Sequence, residues 1–103
     1  MANRTDPDPV DVALRVLLTE PSYAAQTLIV TARMLEEDHA SPMTALAREH
    51  AMDIAIDSIL GNLPEAVGYD SVRRVYRALP PLAPLATRGE YALRLRQAAK
   101  DLG

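Results

Sequence analysis

The chain of 103 residues carries 14 acidic and 11 basic side chains, a net charge of −3, with 49% apolar residues and no cysteine. That length holds one hydrophobic core, the apolar fraction excludes a chain disordered by composition, and the missing thiols exclude disulfides and thiolate metal sites. With no Phe, no Trp, four Tyr and seventeen Ala, the material suits closely packed helices better than a large sheet.

The expected organisation is a flexible N-terminus over residues 1–7 and a single helical-bundle domain over 8–103. Residues 1–9, MANRTDPDP, have no apolar run of the signal-peptide kind, and no stretch approaches the ~18 apolar residues of a membrane span. The expectation is a cytoplasmic protein with no membrane partner. Ten Arg against one Lys, with abundant Ala, matches the coding bias of a high-GC bacterium.

Asp8-Pro9 opens the first predicted helix, with Asp as cap, Pro in the first turn and Asp11 favoured by the dipole. Val10, Leu14, Leu17 and Leu18 form its apolar stripe, and Pro21 ends it. Ser22 caps a second helix, Tyr23 to His39, whose apolar residues Leu28, Val30, Met34 and Leu35 spread over half the circumference, as in a central helix. Ser41-Pro42 repeats the cap-plus-proline signal for a third helix, Pro42 to Leu60, stopped at Gly61-Asn62. A link of about two residues predicts an antiparallel hairpin of these two helices.

The third helix has two apolar sides, Met43, Ala47 and Ile54 on one and Met52, Ile56, Ile59 and Leu63 on the other. Between them runs an acidic strip of Glu49, Asp53 and Asp57. Residues 63–69 read as a loop. A fourth helix is predicted from Ser71 to Leu79, with Val72, Val75, Tyr76 and Leu79 as its stripe and Arg73, Arg74 and Arg77 opposite. Pro80, Pro81 and Pro84 impose an extended connector. The capping box Thr87-Arg88-Gly89-Glu90 then opens a fifth helix with the stripe Tyr91, Leu95, Ala98 and Leu102.

Four constellations bear on chemistry. Gly68, Asp70, Ser71 and Val72 resemble the Gly-x-Asp-Ser-Leu motif of acyl and peptidyl carrier proteins, which implies an exposed Ser71 at a helix start carrying phosphopantetheine. The carrier helix is acidic, whereas RRVYR follows here, so the preferred reading is that Asp70 or Ser71 caps a short helix. Glu36-x-x-His39 has the ligand spacing of di-iron bundles, and His50 and Asp53 repeat an i, i+3 pair. Only one Glu-x-x-His is present and it lies at a helix end, so these four are candidate metal ligands without a complete set, and no cofactor is expected. Arg33 and His39 resemble the short Arg-His signature of HEPN-type helical ribonucleases, which implies His39 as general acid and base and Arg33 on the phosphate. Glu36 and Glu37 would repel RNA, and an Arg33–Glu37 pair at i, i+4 is the simpler use. His50 itself, on the stripe with Met43, Ala47 and Ile54, reads as a core or interface histidine.

Charge is the fourth signal. Residues 1–70 carry twelve acids and four Arg, a net of −8, and residues 71–103 carry seven basic residues and two acids, a net of +5. The basic candidates for an interaction face are Arg73, Arg74, Arg77, Arg94 and Arg96, and the acidic ones are Glu49, Asp53 and Asp57. The acidic strip and the Arg73-Arg74-Arg77 face can meet within one chain or across a dimer. No aromatic side chains are expected among the arginines for base stacking.

The sequence thus predicts an all-α compact bundle of about five short helices. It is expected to act as a protein-interaction module, adaptor or regulatory, as a homodimer with a further protein partner. A nucleic-acid or anion binder using the Arg-rich C-terminal helices is the alternative, and a metal- or histidine-dependent helical enzyme is the second. No nucleophile–base pair or phosphate cradle is legible, which favours a non-enzyme.

Overall fold

The computed structural model describes residues 21–103. Among these the chain forms four α-helices and no strand: α1 (Tyr23–Glu36), α2 (Ala45–Leu60), α3 (Glu65–Ala78) and α4 (Arg88–Leu102). The predicted first helix and the predicted flexible residues 1–7 lie outside the described residues.

α1 is the central helix and packs against the other three, most extensively against α4. Ser22 caps it as expected, accepting from the Ala25 amide at 3.1 Å. Leu28 and Leu35 are buried, with Ile29 and Met34 packed at the edge of the core. Ala24, Ala25 and Ala32 of α1 and Ala92 and Ala99 of α4 are buried too; their small side chains let the helix axes approach closely. Thr27 and Thr31 are buried because each hydroxyl donates to the carbonyl four residues back, at 2.8 Å in both cases.

α1 ends at Glu36, three residues short of the expected His39: Ser41 N–H closes a turn on the Asp38 carbonyl, and the carbonyls of His39 and Ser41 go to tertiary partners. Gly89 N–H donates to the His39 carbonyl and Arg88 N–H to the Ser41 carbonyl, each at 2.9 Å. Met43 N–H donates to the Ala86 carbonyl, and Pro42 and Thr87 form an isolated antiparallel bridge. The Ser41-Pro42 signal is therefore part of an extended link, not a helix start. Ser41 donates its hydroxyl to Asp38 instead, and Thr44 caps α2 by accepting from the Ala47 amide. The expected two-residue link spans residues 37–44.

α2 buries Ala51, Met52, Ala55 and Leu60. Of its two predicted apolar sides the one with Met52 faces the core, with Ile56 and Ile59 half-buried, while Ile54 on the other is exposed.

α3 corrects the sequence reading most. It starts at Glu65, six residues before Ser71, with Pro64 preceding it and Glu65 in the first turn where the dipole favours an acid. Gly68, read from the sequence as loop, and Asp70-Ser71, read as a cap, lie inside the helix. Ser71 and Val75 face the core, and Tyr76, expected in the apolar stripe, points outward with 54% of its surface exposed.

The Pro-rich connector, residues 79–87, is tied down by Tyr91, which is fully buried. Its hydroxyl donates to the Pro80 carbonyl at 2.7 Å and accepts from Arg48 Nη1 at 3.3 Å. Ala86 N–H donates to the Ala83 carbonyl around Pro84-Leu85, and Leu85 sits at φ 64°, the φ pattern of a type II turn with Pro at its second position. The capping box at Thr87 and Glu90 forms as read from the sequence. No described helix is long and apolar enough to cross a membrane.

Candidate functional site

The acidic strip forms. Glu49, Asp53 and Asp57 are all exposed, on the α2 face opposite the core, beside exposed Leu46 and His50. His50 is therefore not the core residue that its sequence stripe suggests. It lines a shallow depression of about 420 Å³ with Met34, Leu46 and Arg88.

The basic set divides. Arg73 and Arg77 are exposed on α3 and Arg74 is half-buried. Because α3 begins at Glu65, Tyr69 falls on the same face as Tyr76 and Arg73. Tyr69 is 68% exposed, and the Arg73 guanidinium stands over its ring at 6.0 Å. Tyr and Arg are thus interleaved on one helix face, against the expectation that no aromatics accompany the arginines. The seven-residue spacing of Tyr69 and Tyr76 is the signal, legible only once the helix is known to start upstream of both.

Arg96, expected on the basic interaction face, is paired within the chain. Its Nε donates to one oxygen of Glu36 at 2.8 Å and its Nη2 to the other at 2.6 Å. This pairing holds the Glu36 carboxyl below, and the Arg96 guanidinium above, their ordinary pKa ranges. Arg88 bridges Asp38 at 3.4 Å and donates to the Pro42 carbonyl, stitching α4 to the link after α1. Arg94 is exposed. Among the described residues no ion pair joins Glu49, Asp53 or Asp57 to Arg73, Arg74 or Arg77.

The metal and nuclease constellations come apart. Glu36 faces Arg96 on α4, whereas His39 lies in the turn after the helix with its side chain exposed. Among the described residues no group of three or more His, Asp or Glu could hold a metal ion, so Glu36, His39, His50 and Asp53 do not converge. Arg33 is exposed on α1, and no ion pair with Glu37 is present among the described residues. The carrier resemblance fails at its key residue: Ser71 is mid-helix and 4% exposed, so it neither caps a helix nor offers its hydroxyl to a modifying enzyme.

Two larger grooves remain. One, of about 740 Å³, lies between α1 and α4 with Ile29, Leu93 and Lys100 in its lining. The other, of about 660 Å³, lies between α2 and α3. Asp53, Asp57 and Glu65 supply its carboxylates, and Ile56, Leu60, Leu63, Val72 and Tyr69 its apolar surface. The second groove brings Asp53 and Asp57 of the acidic strip to the same depression as Tyr69. No protein-family model, curated protein or solved structure matches this chain.

Proposed function

We propose that this chain is a small helical protein-interaction module of the cytoplasm, working as a homodimer and presenting a mixed-charge surface to a further protein. The observation that carries this reading is the α2–α3 surface, where exposed Asp53 and Asp57 share one groove with exposed Tyr69, and Arg73, Tyr76 and Arg77 stand exposed along the same helix as that tyrosine. Tyr and Arg are the residues most over-represented among energetic anchors of protein interfaces. Opposite charges beside them supply orientation and partner choice more than affinity.

Binding of a polyanion is the second reading, favoured by the interleaving of two tyrosines with Arg73 and Arg77, a stacking-plus-charge arrangement suited to single strands. The three carboxylates of the groove that Tyr69 lines repel phosphates, which supports a protein partner over a polyanion. Sedimentation equilibrium separates the two. The module predicts a mass that rises with concentration from one 11.2 kDa chain toward twice that, with no binding of a labelled single-stranded oligonucleotide at physiological salt. A constant single-chain mass with salt-sensitive oligonucleotide binding would reverse the assignment.

A further inference from the structure

We infer that residues 9–20 fold back as a helix onto their own chain and lie in the groove between α1 and α4. This goes beyond the reading of a dimer and does not depend on it.

The point where the segment joins the described residues sets the geometry. Pro21 itself lines the α1–α4 groove. The Gln26 side chain donates to the Pro21 carbonyl at 2.9 Å, and the Ser22 amide donates to the Gly103 carbonyl at 3.0 Å, so the chain is fixed there. The start of α1 meets the end of α4 at this point, while Gly89 meets His39 at the other end, so the two helices run antiparallel. Only Thr19, Glu20 and Pro21 separate Leu18 from the Ser22 cap. A link this short makes consecutive helices antiparallel neighbours, and Pro21 turns Glu20 away from helical geometry. A helix ending at Leu18 therefore runs back alongside α1, and the groove that Pro21 lines is the nearest seat.

Length and pattern match that seat. From Leu93 to Gly103 the groove is about 15 Å long, and a helix from Pro9 to Leu18 spans about 14 Å. Val10, Leu14 and Leu17 recur at i, i+4 and i+7, on one side of such a helix. In the groove Leu93 is 68% exposed and Ile29 only half-buried, so both have apolar surface left to cover. A helix of about ten residues is marginal in water by itself; burial of this stripe against Leu93 and Ile29 stabilises it.

Charge selects the same groove. Residues 1–20 carry four acids, Asp6, Asp8, Asp11 and Glu20, against Arg4 and Arg15. The charged side chains lining the α1–α4 groove are Arg96 and Lys100, both cations. Lys100 stands about one turn before Gly103, at the end where Glu20 joins Pro21. The α2–α3 groove, with its three carboxylates, repels the same segment.

The test is a nitroxide label on the full chain, which has no cysteine of its own. Val12→Cys puts the label on the side of the segment away from Val10, Leu14 and Leu17. The amides of Leu93 to Gln97, toward the end of the groove away from Pro21, are expected to lose most of their intensity. When labelled chains are mixed with isotope-enriched chains that carry no label, those amides are expected to lose none, because the contact lies within one chain. Adding Leu14→Asp with Leu17→Asp is expected to bring the Leu93 to Gln97 signals back, with the rest of the spectrum still that of the folded protein. Signals there that the label never weakens overturn the docking. Loss that appears in the mixture gives the groove to a second copy and overturns it too. Loss that persists after both aspartates shows only a tether held close by its link, and does the same.

Discussion

Glu36 and Arg96 meet side on across the α1–α4 seam, both carboxylate oxygens engaged by one guanidinium at 2.6 and 2.8 Å. The pair joins the central helix to its most extensive neighbour, and it contributes to how stability responds to acid. Because the folded-state pKa of Glu36 is depressed, chiefly by the Arg96 hydrogen bonds, its contribution is complete above the unfolded glutamate pKa of about 4.3. It is lost as pH falls through the lower folded value. Both side chains are more than a third exposed, so solvent screening keeps the contribution to no more than about 1 kcal/mol. Urea unfolding of wild type and Glu36→Gln across the acidic range is expected to show curves that differ above pH 4.3 and converge below it. Curves separated equally at every pH would contradict the ion-pair account.

Tyr91→Phe keeps the buried ring and removes only the hydroxyl that ties the connector. The Pro80 carbonyl then loses its 2.7 Å donor and Arg48 one of its acceptors. The expected loss is about 1–2 kcal/mol in denaturant unfolding, with hydrogen-exchange protection falling first around residues 79–87.

Gly89→Ala is expected to destabilise, although alanine suits a helix better than glycine. An added Cβ stands 3.0 Å from the His39 Cβ and 3.2 Å from the His39 carbonyl oxygen, and that carbonyl is fixed by the Gly89 N–H. Overpacking of this kind costs about 1–3 kcal/mol, which outweighs about 1 kcal/mol of helix propensity. A lower thermal midpoint for the variant checks it.

Leu85→Gly is expected to do the opposite. Leu85 combines a left-handed φ of 64° with a side chain that is wholly exposed, so substitution relieves about 1–2 kcal/mol of steric cost and loses no burial. Greater unfolded-chain freedom of glycine takes back about 0.5–1 kcal/mol. The net expectation is a small rise in stability, measurable by chemical unfolding.

What was legible in the sequence is what local chemistry writes. Ser22, the Thr87–Glu90 capping box and the stop at Gly61 all mark helix ends where they were read. Where the reading failed, a distant partner overruled a local signal. Ser41-Pro42 resembles a helix start, but the Ser41 carbonyl is claimed by Arg88 and the Met43 amide that follows by Ala86, each more than forty residues away. Residues 63–69 read as a loop and Asp70-Ser71 as a cap, but Ser71 and Val75 bury themselves as part of one continuous α3. That single misplacement hid the Tyr69–Tyr76 face, since a tyrosine in a presumed loop has no helical phase. The acidic strip was readable from its four-residue period alone; the capture of Arg96 by Glu36, sixty residues apart, was not.

Amide chemical shifts followed through a dilution series test the central claim most directly, because they show whether the chain associates and where. The account predicts concentration-dependent movement confined to residues 49–57 on α2 and 68–77 on α3. Shifts that stay fixed at every concentration, or that move only along the α1–α4 groove around Leu93 and Lys100, would contradict it.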